Sequence, residues 1–372
     1  MAARSETLDL FLELAALPSP PGEERAVADA VLRYLRGLGL EPDEDGCGPA
    51  IGSTMGNVYV RLDPTAAGTP LFFCAHLDTV PLSGRLEPVV EDGFVRNAGG
   101  TILGADDKSA VVAMLEAVRR LLAENRPHAG IELLFTPKEE VGLVGAGAFE
   151  HERLYAQLGY VYDQASPIGE IVLGAPWSQS LDVTFHGRPA HAGMYPEEGR
   201  SAVQAAAKAI ADLRLGRVDE QTTANVGLIS GGTAGNIVPE WCTFRAEARS
   251  QDETRLNELV QEMLDACSFA ATATECEVET ELRKSYNGYR FRRDAEVVQL
   301  AARALASRGY EPSYVLSGGG ADANVFNERG RRCLNLANGM TDIHTPDERI
   351  AVDDLDAMVD VTLALVDLAR AA

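Results

Sequence analysis

From residue 57 to 175 the apolar positions of this chain follow two rhythms. Segments of strand length occur at NVYVRL (57–62), PLFFCAHL (70–77), IELLFTP (131–137) and LGYVYD (158–163), the last three apolar over most of their length. Between the second and third, Val111, Val112, Leu115, Val118, Leu121 and Leu122 recur at helical spacing over Lys108 to Glu124. Runs that are apolar throughout, rather than alternating, belong to strands covered on both faces. Strand–helix–strand alternation therefore predicts an α/β sheet with helices packed on each side. Ahead of it, SETLDLFLELAALP reads as an amphipathic helix capped near Ser5 and stopped before Pro18.

The pattern changes near Trp177. SLDVTFHG alternates as a half-buried strand, and Ser201 to Leu215 is Ala-rich and helical. TANVGLISGG and VPEWCTFRAEARS read as two strands, Asp252 to Ala271 as a helix, and ECEVETELRKSY as a last strand. That β-α-β-β-α-β order predicts a small ferredoxin-like α+β insert over residues 178–288. The main sheet then divides into residues 1–177 and 289–372. Its second part holds a helix over Ala295 to Arg308, a strand YEPSYVLS, a glycine loop, a strand RRCLNLAN and a C-terminal helix over Asp353 to Arg370.

Composition narrows the classes of function. The 372 residues are 46% hydrophobic and 24% charged, an ordinary globular balance. Lys+Arg 33 against Asp+Glu 56 leaves a net charge of -23, which opposes binding to nucleic acid and to anionic membranes. No run is long and apolar enough to span a bilayer. Asp9 and Glu13 interrupt the N-terminal apolar stretch, so it does not read as a signal peptide. The six cysteines form no CxxC pair and fit reduced thiols, so the expected location is the cytoplasm.

Five short segments carry the candidate chemistry: FFCAHLDTV with His76 and Asp78, ILGADDKSA with Asp106, LFTPKEEVG with Glu139 and Glu140, YVYDQ with Asp163, and TDIHTPDE with His344. Each residue alone has an ordinary structural reading. Asp106 would cap a helix, the two Glu would form an exposed loop pair, and His76 would be a hydrogen-bonded core histidine. Four of the five follow or end a strand-like run, and strand ends converge at one rim of an open sheet. Mixed imidazole and carboxylate ligands suit two zinc ions, with cobalt or manganese as alternatives. A carboxylate at Asp106 can bridge two cations. Residues two apart on a strand share a side, so Asp78 can accept the second N–H of the His76 ring. Of the adjacent pair, Glu140 reads as a ligand. Glu139 reads as the acid–base that takes a proton from the attacking water and returns it to the leaving amine. A second set, His191, Asn236, Arg249 and Gly318-Gly319-Gly320, reads as substrate-holding. Arg249 can grip a carboxylate, His191 or Asn236 can donate to a developing oxyanion, and the glycines can offer backbone N–H groups.

Taken in order, AHLDTVP, GADDKSA, EEVG, GRPAHAG, NIVP and HTPDE resemble the co-catalytic zinc exopeptidase family of aminoacylase, carboxypeptidase G and peptidase T. EIVLGAP, HAGMYPEEGRSAVQAAAKAIA and GGGADANVFN look most like the peptidase T-like branch. The resemblance implies a mixed sheet flanked by helices with a lid and dimerisation insert. It implies that Asp106 bridges two metals, that His76 and Asp163 hold one and Glu140 and His344 the other, and that Asp78 orients His76. It also implies a cis peptide after Asp106, a homodimer formed through the insert, and His191 acting across that dimer. The implied activity is removal of an N-terminal residue from a small peptide, of tripeptidase type. The same di-metal site would serve a carboxypeptidase, a dipeptidase or an N-acyl amino acid deacylase. A catalytically silent metal- or peptide-binding protein is the rival from another class, and Glu139 speaks against it. Gln164 stands where peptidase T carries glycine, a departure that touches substrate choice rather than metal chemistry.

Overall fold

The computed structural model describes residues 5–370, which fall into two compact units. The first holds the chain up to Gly174 and again from Arg290, and the second is Ala175–Tyr289.

Four parallel strands form the middle of the first unit's sheet, in the spatial order Ile131–Thr136, Leu71–His76, Leu158–Gln164 and Arg332–Ala337. Antiparallel strands flank them, Val58–Leu62 on one side and Glu170–Ala175 on the other. Leu71–His76 and Ile131–Thr136 are buried at every position, because helices cover both faces as the apolar runs require. On one face Tyr160 and Tyr162 pass between neighbours, and their hydroxyls end on Val297 O and Thr362 Oγ1, each at 2.9 Å. On the other, Phe72 and Phe326 pack with ring centroids 4.9 Å apart. Phe72 pairs in register with Gly159, where a Cβ would stand 2.1 Å from the Phe72 ring. Only glycine leaves room for that ring.

The N-terminal helix is Glu6–Ala15, and the Ser5 hydroxyl accepts the Leu8 N–H at 3.2 Å. The C-terminal helix is Val352–Arg370. The long helix after the second parallel strand is continuous only beyond Asp107, since Asp106 and Asp107 have non-helical φ/ψ and a cis peptide bond joins them. Sequence periodicity missed the helix Arg25–Gly37, the strand Glu170–Ala175, and a small sheet of Pro88–Glu91, Phe94–Asn97 and Arg349–Ala351. That small sheet joins segments too short and too polar to carry a period.

In the second unit, strands Thr222–Gly231, Trp241–Ser250, Trp177–His186 and Glu277–Tyr286 lie in that spatial order, all antiparallel, with a short strand Gly216–Asp219 outside. Numbered in chain order they run 2-3-1-4, the ferredoxin-like arrangement. Helices Ala202–Asp212 and Glu253–Thr274 are capped by Ser201 and Asp252. The first is shorter than its apolar pattern suggested, because Leu213 is already extended. Ala202, Ala205, Ala206 and Ala209 present a small-residue face that packs with Leu181, Val183, Phe185 and Phe244. No helix among the described residues is long and apolar enough to cross a membrane.

Candidate metal centre

All five predicted segments lie in the first unit; four of them end or follow parallel strands, and the fifth, with Asp106, leads into the long helix Ala105–Ala123. His76 is the last residue of its strand, in register with Thr136, and Glu139 and Glu140 follow three and four residues later. Asp163 is the penultimate residue of the next strand, and His344 lies on the loop leaving the fourth. Parallel strands put all their C-terminal ends on one edge, and side chains there converge whatever their separation in sequence.

Asp106 is the centre of the cluster. Its Oδ1 lies 3.1 Å from His76 Nε2, and its Oδ2 lies 3.2 Å from His344 Nε2. One carboxylate thus faces two imidazoles with different oxygens. Glu140 Oε1 lies 3.0 Å from His344 Nε2. Ligand atoms of His76, Asp106 and Glu140 all fall within 4.8 Å of one another, as do those of His76, Glu139 and Asp163. Donors held ~2.0–2.1 Å from one tetrahedral zinc would stand about 3.3 Å apart, so these separations fit metal ligands.

The electrostatics support the same fit. Burial would lower the His76 pKa, but the Asp106 and Asp78 carboxylates hold it well above the usual imidazole range. Asp106 and Glu140 raise the His344 pKa to about 10. Burial pushes the carboxyls of Glu139, Asp163 and Asp107 well above their normal range, reinforced at Glu139 by Asp163 and at Asp163 by Asp106. Both Asp107 carboxylate oxygens are buried without a hydrogen-bond partner. Packing this many acids together costs heavily unless cations neutralise them, and bound divalent metal would do so.

Asp78 meets the second nitrogen of the His76 ring chiefly through its main chain. His76 Nδ1 lies 2.9 Å from the main-chain oxygen of Asp78, and 3.6 Å from its carboxylate. That nitrogen therefore carries the proton, leaving Nε2 for a metal. The chain turns out of the strand at Asp78, which swings the carbonyl in towards the ring. The carboxylate is also engaged with the next turn: Oδ1 accepts the Glu139 N–H at 2.9 Å and Oδ2 the Glu140 N–H at 3.1 Å. Asp78 holds the turn that carries the predicted acid–base and its neighbouring ligand.

Other supports escaped sequence reasoning. Asn335 brackets Asp163, accepting its N–H at 2.9 Å and donating to its carbonyl at 2.6 Å. Glu24, wholly buried, accepts the Lys138 N–H at 3.2 Å, just before Glu139. Asp322 lies at the start of the helix Asp322–Glu328, with Oδ2 accepting from Thr136 Oγ1 at 2.6 Å and Oδ1 unpartnered. Burial raises its pKa to about 6. Asp322 stood inside GGGADANVFN, the one available signal, whereas nothing near Glu24 marks it.

The substrate-holding candidates divide between the units. Gly318 to Gly320 form the loop between the strand Ser313–Leu316 and the helix Asp322–Glu328 of the first unit. None of the three has a positive φ, and a Cβ at Gly318 would meet nothing within 4 Å. His191, Asn236 and Arg249 belong to the second unit. The structure brings His191 and Asn236 together, since His191 bridges to Ile237 and Asn236 O accepts the Ala192 N–H at 3.0 Å. His191 Nδ1 accepts the N–H groups of Gly193 and Met194, both at 3.2 Å, so Nε2 is left as the donor. Arg249 is not with them. It lies eight residues along the strand from Trp241, about 26 Å at ~3.3 Å per residue, and its guanidinium donates to Glu247 Oε2 at 3.0 Å.

Comparison with known proteins gives a consistent picture. The profile of peptidase family M20/M25/M40 matches residues 72–368. The chain is 37% identical over 367 residues to the uncharacterized protein YqjE of Bacillus subtilis (strain 168), covering 99% of each. Among solved structures, a tripeptidase from Staphylococcus aureus superimposes with a TM-score of 0.93 at 34% identity, covering 98% of both chains. The aminopeptidase PepT from Bacillus cereus gives 0.88 at 37% identity and the same coverage.

Proposed function

The chain belongs to peptidase family M20/M25/M40, a metal-dependent hydrolase of that family, and from this premise we propose that it is a two-zinc aminopeptidase of tripeptidase type acting on small peptides. The observation that carries the two-metal reading is the two-sided carboxylate of Asp106, each oxygen facing a different imidazole. His76 and Asp163 would hold one ion, Glu140 and His344 the other, with Asp106 between. Cobalt or manganese would suit the same donors. Bound metal would polarise the scissile carbonyl and make nearby water more acidic. Glu139, buried beside the ligands and fixed through its own N–H by Asp78, takes a proton from the attacking water and passes it to the leaving amine.

One observation favours the amino end: the aminopeptidase and the tripeptidase noted above match over nearly the whole chain.

The second unit bears on assembly. Gly216–Asp219 pairs with Thr222–Gly231 only as far as Ala224. Beyond it Leu228 is 64% and Ile229 57% exposed on a strand edge. We infer that this edge joins a second copy, giving a homodimer. The distance between Arg249 and the His191–Asn236 pair agrees with His191 serving the partner's site. All six cysteines are free, which suits the cytoplasm.

The test is a panel of free, N-acetylated and C-amidated di- and tripeptides, with products read by mass spectrometry. Release of the N-terminal residue from free tripeptides, with N-acetylated ones inert, is the expected result. Release of the C-terminal residue, or deacylation of the acetylated members, would replace this proposal with one of its relatives.

A further inference from the structure

Glu348 ends the HTPDE segment, four residues beyond His344, and is 1% exposed. A buried glutamate needs partners, and all of those found here are main-chain donors from a single distant stretch. Its Oε2 accepts the N–H groups of Leu103 at 2.7 Å and Gly104 at 2.9 Å, and its Oε1 accepts the Asp106 N–H at 3.0 Å. These donors belong to the non-helical lead-in to the long helix, and local Ser, Thr or Asp side chains commonly satisfy donors at such an entry. Here Gly104, with φ +76, provides no side-chain cap. A residue 242 positions from Asp106 does the work instead.

The loop holding Glu348 is itself stiff. Thr341 and Arg349 exchange both main-chain bonds, at 3.0 and 3.1 Å, closing the loop at its base. The Glu348 N–H reaches Thr345 O at 3.1 Å, and Thr345 Oγ1 reaches Asp342 O at 2.7 Å. One short, closed loop therefore supplies both His344, whose Nε2 faces the Asp106 carboxylate, and Glu348, which grips the Asp106 main chain. Asp106 is held from two sides by one rigid piece. A local cap would satisfy the same N–H groups without this linkage.

We propose that Glu348 is a positioning residue that keeps the two halves of the metal centre in register. It fixes the backbone under the bridging carboxylate against the loop that carries His344. Loss of Glu348 frees that loop to drift relative to Asp106. The half built from His344 and Glu140 then suffers, while the half built from His76 and Asp163, on rigid strand ends, is spared.

The proposal rests on the two-metal reading and is tested on metal-free protein titrated with Co2+. Visible absorption follows the ligand field, and equilibrium dialysis gives the stoichiometry. Wild type should bind two ions. In E348A one of the two steps should weaken ~10–100-fold, the usual effect of losing a residue that supports a ligand, while the other stays in place. E348D should recover part of the loss. E348Q keeps one acceptor oxygen and nearly the same volume, so it gives the same reading if E348A fails to fold. Equal weakening of both steps, or no change in either, overturns the proposal. Wild type binding fewer than two ions would instead overturn the two-metal reading, a result visible before any variant is made.

Discussion

Replacing Asp78 by alanine tests the role of that residue. Asp78 is wholly buried, and its carboxylate accepts two main-chain N–H groups, from Glu139 at 2.9 Å and Glu140 at 3.1 Å. Removing the acceptor orphans both donors, at ~1–3 kcal/mol for each buried one. The Glu140 donor is half-buried and can turn to water, and removing a buried anion returns some desolvation energy. A net loss of about 2–4 kcal/mol follows from these terms. Urea unfolding of the metal-free protein, read by far-ultraviolet circular dichroism, measures it. Tryptophan fluorescence would not, because Trp177 and Trp241 both lie in the second unit. The same turn carries the acid–base, and a shift of ~1 Å there costs on the order of 100-fold in rate. So kcat/KM should fall about 100-fold in D78A, and less in D78N, which retains one acceptor. If stability and kcat/KM both stay within ~1 kcal/mol of wild type, the two hydrogen bonds do not hold this turn and the reasoning fails.

Other expectations follow from the same geometry. Glu139→Gln should lower kcat by ~100- to 10,000-fold with metal content by elemental analysis unchanged; loss of metal would make Glu139 a ligand instead. His151 sits against Phe149 and Phe326 with Nε2 3.0 Å from Ala146 O, and burial lowers its pKa from 6.5. A depressed folded pKa means the stabilisation is full above 6.5 and is lost as pH falls through the lower folded value. Relative to His151→Phe, wild type should therefore lose up to ~1.4 kcal/mol per pH unit in that acid range, and parallel stability–pH curves would contradict this. Ile229→Lys should convert a dimer into a folded monomer in light scattering after gel filtration, whereas a persistent dimer would place the contact elsewhere. Chelation should abolish peptidase activity and added Zn2+ restore it; activity surviving exhaustive chelation would remove the metal from the chemistry.

Much of the framework is legible in the chain. The runs PLFFCAHL, IELLFTP and LGYVYD and the later strand RRCLNLAN become the strands that place His76, Glu139, Glu140, Asp163 and His344, because a strand buried on both faces announces itself by composition and its end by the first polar residues. The ferredoxin-like order of the second unit follows from alternation and helix caps alone. Short polar pieces such as Phe94–Asn97 and Arg349–Ala351 were not legible, since their pairing depends on segments more than 250 residues apart.

Residue order along the chain already tells which side-chain types stand near strand ends, and hence the chemistry on offer: imidazoles and carboxylates fit for metal. Periodicity and strand-end position are local properties, so one chain suffices to read them. The assignments that depend on closure came from the folded structure. It showed that Asp78 grips the Glu139–Glu140 turn with its carboxylate and meets the His76 ring with its main-chain oxygen. It showed that Glu348 holds the main chain at Asp106, and that Arg249 stands far from His191 and Asn236 along one strand. In the first two cases the partner is a main-chain N–H or carbonyl, which every residue possesses and no motif can mark. Its identity appears only when the loops have folded against each other.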